Sequence, residues 1–277
     1  MRRITQFTVL CLAVAAVNAC RPEEVIQTED IPTAGVRFIH AVSDTGAMDM
    51  RPVDIVENST FYNVTFRSTA LMFYKNARAG SRHFKVFRSD TTAAVASTVV
   101  WDTTYTLEAG HRYTFILWGF SRPGSSPAMK LDIIDDNPAD PGANVALRLV
   151  NAAAGLGALD GRQYIKTTGT VPATPTWPNV AELSASAYVA APADSINFNV
   201  RSAGGTTALF TDPTAITGTA ATVLLDATPG TRVPGSAVSG FVFARSVSPS
   251  QATAPTNFTT PGVIFLWDRR PPRPAGL

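Results

Sequence analysis

Cysteine is almost absent from this chain: two of its 277 residues are cysteine, Cys11 and Cys20, and none follows position 20. A disulfide framework and a multi-cysteine metal centre are thereby excluded. Histidine is nearly as scarce, at His40, His83 and His111. Charged residues make up 16%, below the quarter or so of an average soluble domain. The formal net charge is only +2, so the composition offers no basic surface for nucleic acid. No apolar run approaches the roughly 20 residues of a membrane-spanning helix. A Gly-x-Ser-x-Gly elbow, a phosphate-cradling glycine loop and a dinucleotide fingerprint are also missing. What is plentiful is core material: 45% hydrophobic residues, with 15 Phe, 6 Tyr and 4 Trp, enough for one large or two ordinary domains.

The N-terminus reads as an address. Arg2 and Arg3 precede an apolar run from Phe7 to Val17, which fits a secretory signal peptide over residues 1–19. Val17-Asn18-Ala19-Cys20 resembles a bacterial lipobox, whose cysteine is acylated and becomes the new N-terminus; Asn18 departs from the usual small residue. Cys20 would have no disulfide partner in the mature chain, and acylation removes an otherwise reactive thiol. Arg21 after the cysteine favours, by resemblance to lipoprotein sorting, the outer membrane, facing periplasm or exterior. Residues 20–34 then serve as lipidated N-terminus and tether. Removing residues 1–19 leaves 21 basic and 21 acidic residues, a formally neutral body.

From Gly35 the texture is short β-rich runs between Gly, Pro, Asp, Ser and Asn. Strands are expected at Val36–His40, Arg82–Arg88, Val99–Tyr105, Tyr113–Phe120 and Leu131–Ile134. Tyr113–Trp118 is apolar on both faces and should be a central strand packed on two sides. Weak helix candidates are Phe66–Tyr74 and Ala152–Leu159. The expected fold is all-β: two tandem immunoglobulin-like or transthyretin-like β-sandwiches at 35–136 and 144–248, with a linker at 137–143. Residues 249–277 form a Pro-rich segment, a terminal strand at Gly262–Trp267 that docks on one sandwich, and a basic tail.

The tandem reading rests on a repeat. VRFIHAVSDTGAMD (Val36–Asp49) aligns without a gap to LRLVNAAAGLGALD (Leu147–Asp160), with Arg37/Arg148, Ala41/Ala152, Gly46/Gly157, Ala47/Ala158 and Asp49/Asp160 identical. Tyr74 and Ser81–Val86 resemble Tyr188 and Ser195–Val200 at nearly the same offset. The opening VRFIHAVSDTGAMD, Tyr74–Gly80 and Leu107–Thr114 resemble domain-of-unknown-function family 4397. The first unit matches throughout, and the unit after it resembles a degenerate copy. The resemblance implies repeated β-sandwiches on exported or lipid-anchored proteins, with no established activity.

Candidate chemistry is thin. The three histidines lie at strand ends or a turn, where solvated structural roles are expected over a metal site. Asn151 stands at the His40 position, and both side chains can bond a neighbouring backbone group, which points to a turn role. Asp132, Asp135, Asp136, Asn137 and Asp140 cluster at the linker without calcium-loop spacing, so a polar turn is expected over a Ca²⁺ site. Arg37 and Arg148, like Asp49 and Asp160, read as structural ion pairs or hydrogen-bond anchors, because a sandwich interior does not accept either charge alone. Trp177, between Pro175 and Pro178, is the best candidate for an exposed, ligand-stacking aromatic. No catalytic, cofactor or metal residue is assigned. The expected function is a non-enzymatic, lipid-anchored cell-envelope protein with a binding or structural role. Its expected partners are the membrane, through the lipid, and a protein or glycan of the envelope. The alternatives are a carbohydrate- or peptidoglycan-binding protein and an unrecognised envelope hydrolase.

Overall fold

The computed structural model describes residues 30–56, 59–68, 73–247 and 258–273. Residues 1–32 form a unit of their own, of which only 30–32 are described; residues 33–277 form one compact unit. The expected signal peptide at residues 1–19 and Cys20 lie outside the described residues.

The first half contains β1 (Thr33–His40), β2 (Met48–Pro52), β3 (Phe61–Val64), β4 (Lys75–Arg78), β5 (Gly80–Arg88), β6 (Val99–Leu107), β7 (Arg112–Trp118) and β8 (Lys130–Asp135), with a single helical turn α1 (Ala93–Ala96) before β6. They form two four-stranded sheets, ordered β4-β1-β7-β8 and β3-β2-β5-β6. Alternation along β1 and β7 explains the packing. Val36, Phe38, Tyr113, Phe115 and Leu117 face the second sheet and its Met48, Met50, Phe61, Phe84 and Val86. Arg37, Ile39, Thr114, Ile116 and Trp118 alternate with them and are buried on the other side. Strand β7 is therefore packed on both faces, in keeping with a run from Tyr113 to Trp118 that is apolar except at Thr114.

The second half contains β9 (Asn144–Asn151), β10 (Leu159–Ile165), β11 (Trp177–Val180), β12 (Ser184–Ala185), β13 (Val189–Pro192), β14 (Ile196–Ser202), β15 (Ala237–Phe243) and β16 (Gly262–Arg269). One sheet runs β12-β9-β15-β16 with β13 also on β9, and the other runs β11-β10-β14. The pairings repeat those of the first half: β1 and β7 are parallel, and so are β9 and β15. Met48 and Met50 pair with Val64 and Phe61 across a register shift, as Leu159 and Gly161 pair with Val180 and Trp177. β16 lies antiparallel on β15 as β8 lies on β7. The terminal strand thus completes the second sandwich, whose sheet extends to Arg269 rather than ending near 248.

Both halves turn their mixed sheets toward each other. Ile39, Ala41, Ile116 and Trp118 pack against Val150, Ala152, Phe241, Phe243 and Leu266 in a third apolar core. The layers accordingly stack as four sheets with three cores between them, sheet on sheet.

Two expectations need correction. A constant-type immunoglobulin sandwich places its first, second, fourth and fifth strands in one sheet. Here the first strand shares a sheet with the fourth, seventh and eighth, so that arrangement is not met. Neither helix candidate is helical in its described residues: Thr65–Ser68 makes a turn, and Ala152–Ala158 is a loop, with Gly155 and Gly157 at φ 86° and 68°, that leads into β10 at Leu159.

Candidate functional site

The most polar place in the interior lies between the two mixed sheets. Arg37 on β1 and Arg148 on β9 each stand four residues from the strand start, on the face turned toward the other half. Two carboxylates meet them: Asp136, directly after β8, and Asp268, near the end of β16. Arg37, Asp136 and Asp268 are completely buried and Arg148 nearly so.

The bonding repeats across the two halves. Arg37 Nε donates to Thr114 Oγ1 at 2.6 Å, and that hydroxyl donates to Asp136. Arg148 Nε donates to Ser239 Oγ, which donates to Asp268. Each arginine lies over a tyrosine ring, Tyr74 and Tyr188, both at 4.6 Å. The shortest ion pairs, however, cross between halves. Arg37 Nη2 is 2.6 Å from Asp268 and 3.3 Å from Asp136. Arg148 bonds Asp136 directly and stands 3.8 Å from Asp268. Tyr74 adds a 2.8 Å hydrogen bond to Asp136, and Arg37 Nη1 donates to the Trp267 carbonyl at 3.1 Å.

Two cations and two anions make the cluster formally neutral, which is what a dry interior demands. Burial works against the Arg37 charge, but Tyr74, Asp136 and Asp268 overcome it and raise the pKa. Arg148 is likewise raised by Asp136 and Asp268 against burial. Burial pushes the Tyr74 hydroxyl well up, so it stays protonated and donates. The arrangement can hold charge in place. Its two carboxylates are completely buried, and Tyr74 and Trp267, which bond the cluster, line a groove of about 250 Å³.

His40 and Asn151 perform the same turn-closing task. His40 Nε2 donates to the Gly46 carbonyl at 2.9 Å, and Nδ1 accepts from the Val42 N–H at 3.3 Å. Asn151 donates to the Gly157 carbonyl at 2.9 Å and accepts from Ala153 N–H at 3.3 Å. Burial lowers the His40 pKa to about 4, although Gly46 and Asp44 favour the charged ring. The ordinary value is about 6.5, so between these limits the unfolded chain binds the extra proton. Stability is then fully present above pH 6.5 and lost as pH falls toward 4, by roughly 3 kcal/mol. His40→Asn, which copies the second half, should abolish that loss while melting near wild type at pH 8; thermal unfolding from pH 4 to 8 measures both.

The remaining candidates are dispersed. Asp49 and Asp160 accept from the N–H groups of Asn63 and Asn179, both at 2.8 Å and both at left-handed φ near 50°. Burial works against the Asp160 charge, but the Asn179 and Gly204 N–H groups hold its pKa low. Asp49 pairs with Arg51, not with Arg37. His83 pairs with Asp102, and His111 with Asp135 and Glu108. The three histidines do not converge, and no metal-holding group of three His, Cys, Asp or Glu occurs among the described residues. The linker carboxylates also separate: Asp132 bonds Trp118 and Lys130, Asp140 bonds Arg269, and Asp136 is inside the cluster.

Trp177 is a correction. It is only 3% exposed and stacks on Phe198 at 5.1 Å. It occupies the place of Phe61, and Gly161, where the first half has Met50, makes room for the larger ring. A Cβ on Gly161 would approach Trp177 to 2.9 Å. The aligned strands Phe61-Tyr62-Asn63-Val64 and Trp177-Pro178-Asn179-Val180 carry this signal. A groove of about 390 Å³ passes the buried indole, lined also by Asn179, Ser184 and Ser186. A second groove of about 390 Å³ is lined by Arg51, Tyr62 and Lys75.

None of the curated proteins matches the chain. A solved structure described as "The Bacillus anthracis TIE protein" aligns over 85% of this chain at 7% identity, with a TM-score of 0.20. The chain spans 43% of that structure's length. A family model does match, over residues 34–162, from the start of β1 into β10. Its description is "Domain of unknown function (DUF4397)". That span contains Arg37, Asp136 and Arg148, three of the four charges of the buried cluster, and at residues 34–162 this chain carries one DUF4397 domain.

Proposed function

We propose that this protein is a lipid-anchored component of a bacterial cell envelope with a non-catalytic, structural or binding role. We propose further that its second half is a degenerate copy of the first. The observation that carries the role is the shared cluster of Arg37, Arg148, Asp136 and Asp268. Asp136 and Asp268 do converge, but they are sealed between two sheets and neutralised by two guanidinium groups. Such a device ties two sandwiches into one stiff body, which suits a spacer or display element on a tether. Support for the copy comes from β9, β10, β11, β13, β14, β15 and β16, which take the places of β1, β2, β3, β4, β5, β7 and β8. Within the sandwich class, this strand order favours the transthyretin-like type. The glycan-binding reading loses its exposed indole, since Trp177 is core.

The anchor is tested at Cys20. In a double-membraned bacterial host, the wild-type protein should remain in carbonate-washed membranes and incorporate labelled fatty acid. Cys20→Ala should lose the label and shift to the soluble fraction by at least about tenfold, as expected when acyl chains supply stable anchoring. Equal label and retention in both proteins would refute the anchor.

A further inference from the structure

Residues 219–228 form a stapled hairpin with an apolar tip. Thr219 and Thr228 exchange backbone hydrogen bonds of 3.0 and 2.9 Å, and the Thr222 N–H donates to the Leu225 carbonyl at 2.8 Å. Below them the backbones of Gly218 and Gly230 touch: a Cβ on Gly230 would lie 2.2 Å from the Gly218 nitrogen. This base is therefore built for two glycines. At the tip, Val223, Leu224 and Leu225 are 70%, 87% and 69% exposed. Three consecutive apolar residues held out on a fixed turn have no folding purpose.

The C-terminal segment straps basic groups beside that tip. Arg273 donates to the Val223 carbonyl at 2.7 Å and pairs with Asp226 at 3.1 Å. Arg270 is exposed and reaches over Trp267 at 5.8 Å. Residues 219–232 and 269–273 carry four arginines, two of which are paired with acids, Arg273 with Asp226 and Arg269 with Asp140, so two positive charges are left over. The hairpin also stands at a defined pole. Strands β1, β7, β9 and β15 begin at that end, and β16 finishes there. Thr33, at the start of β1, lines one pocket with Arg112 and Trp267, and the chain runs from Trp267 through Arg270 to Arg273. Thus the tip protrudes from the end at which β1 begins.

We propose that Val223–Leu225 is a membrane-docking tip, inserting into the interfacial region of an anionic lipid bilayer while the neighbouring arginines meet its phosphates. Three aliphatic side chains are too small a patch for a stable protein interface of roughly 800 Å² per partner. An apolar tip flanked by cations matches the chemistry of a bilayer interface. The position agrees with the proposed acylation of Cys20, since only 12 residues separate Cys20 from Thr33. That agreement rests on the lipoprotein reading; the tip and its arginines do not.

The test uses residues 30–277, which contain the sixteen strands of the described residues and the three cores but lack Cys20. This protein should float with phosphatidylethanolamine–phosphatidylglycerol vesicles and much less with phosphatidylcholine vesicles. Leu224→Asp combined with Leu225→Asp should reduce the bound fraction by at least about tenfold. Its melting temperature should not change, because both side chains are exposed. Absence of flotation, equal flotation on phosphatidylcholine, or undiminished flotation of the double variant would overturn the proposal. Loss of the Cys20 anchor in cells would leave this result untouched, so the two readings fail separately.

Discussion

Asp136→Asn is expected to destabilise the folded body by about 3–5 kcal/mol and to lower its melting temperature by on the order of 10 °C. The substitution keeps the shape of the side chain and removes one negative charge. Arg37, Arg148, Thr114 and Tyr74 all direct donors at this carboxylate. After the change, two buried guanidinium groups share Asp268 alone, and the amide presents donors where acceptors are needed. Burying an unpaired cation is what makes breaking such a pair costly. The same physics gives an internal control. Replacing Arg37, Arg148, Asp136 and Asp268 together by apolar residues should cost less than Asp136→Asn alone, because no charge is then stranded. Urea unfolding of the three proteins, followed by tryptophan fluorescence, reads the order directly.

Deleting residues 262–277 is expected to abolish folding altogether, a loss comparable to the whole stability of an ordinary domain, about 5–15 kcal/mol. Strand β16 pairs with β15 along its length, from Phe243↔Gly262 to Ala237↔Arg269. Its removal turns β15, buried at every position, into an exposed apolar edge. Leu266 leaves the core between the halves, and Phe265 no longer packs against Phe198. Asp268 leaves with them, so Arg37 loses its 2.6 Å partner in the other half of the molecule. The truncated chain should be insoluble or fully sensitive to protease. A soluble, protease-resistant product would show that the last strand is peripheral.

Much of the architecture is legible in the amino-acid sequence alone. The alternation in Val36–His40, the two-sided apolar run Tyr113–Trp118 and the aligned Val36–Asp49 and Leu147–Asp160 segments report side-chain direction, which sequence encodes locally. The equivalence of His40 and Asn151 is legible for the same reason: each closes a turn within its own neighbourhood. The cluster is only half visible. Arg37 and Arg148 stand in the aligned segment, but the partners of Arg37 lie 99 and 231 residues away from it. Asp136 reads as a solvated linker acid among Asp132, Asp135 and Asp140, because nothing local distinguishes a buried carboxylate from an exposed one. Asp268 is hidden by the Pro/Ser/Thr stretch before Gly262, which separates β16 from β15 and makes it resemble an appendage. The local signal is slight: Asp136 follows the mixed run Leu131–Asp135 and Asp268 follows the apolar run Val263–Trp267, each near the end of a strand. Trp177 misleads because its prolines suggest a loop, whereas the pairing of Gly161 with Trp177 is a volume exchange against Met50 and Phe61. Alignment with Phe61-Tyr62-Asn63-Val64, which holds no proline, gives the correct inward direction.

The cluster belongs to both sandwiches at once, and on this reading it makes them a single cooperative body. Scanning calorimetry of residues 30–277, run beside Asp136→Asn, tests this most directly. One transition is expected in each protein, with calorimetric and van't Hoff enthalpies that agree, and a single downward shift in the variant. Two transitions in the parent protein, or a variant in which only one of two transitions moves, would contradict it.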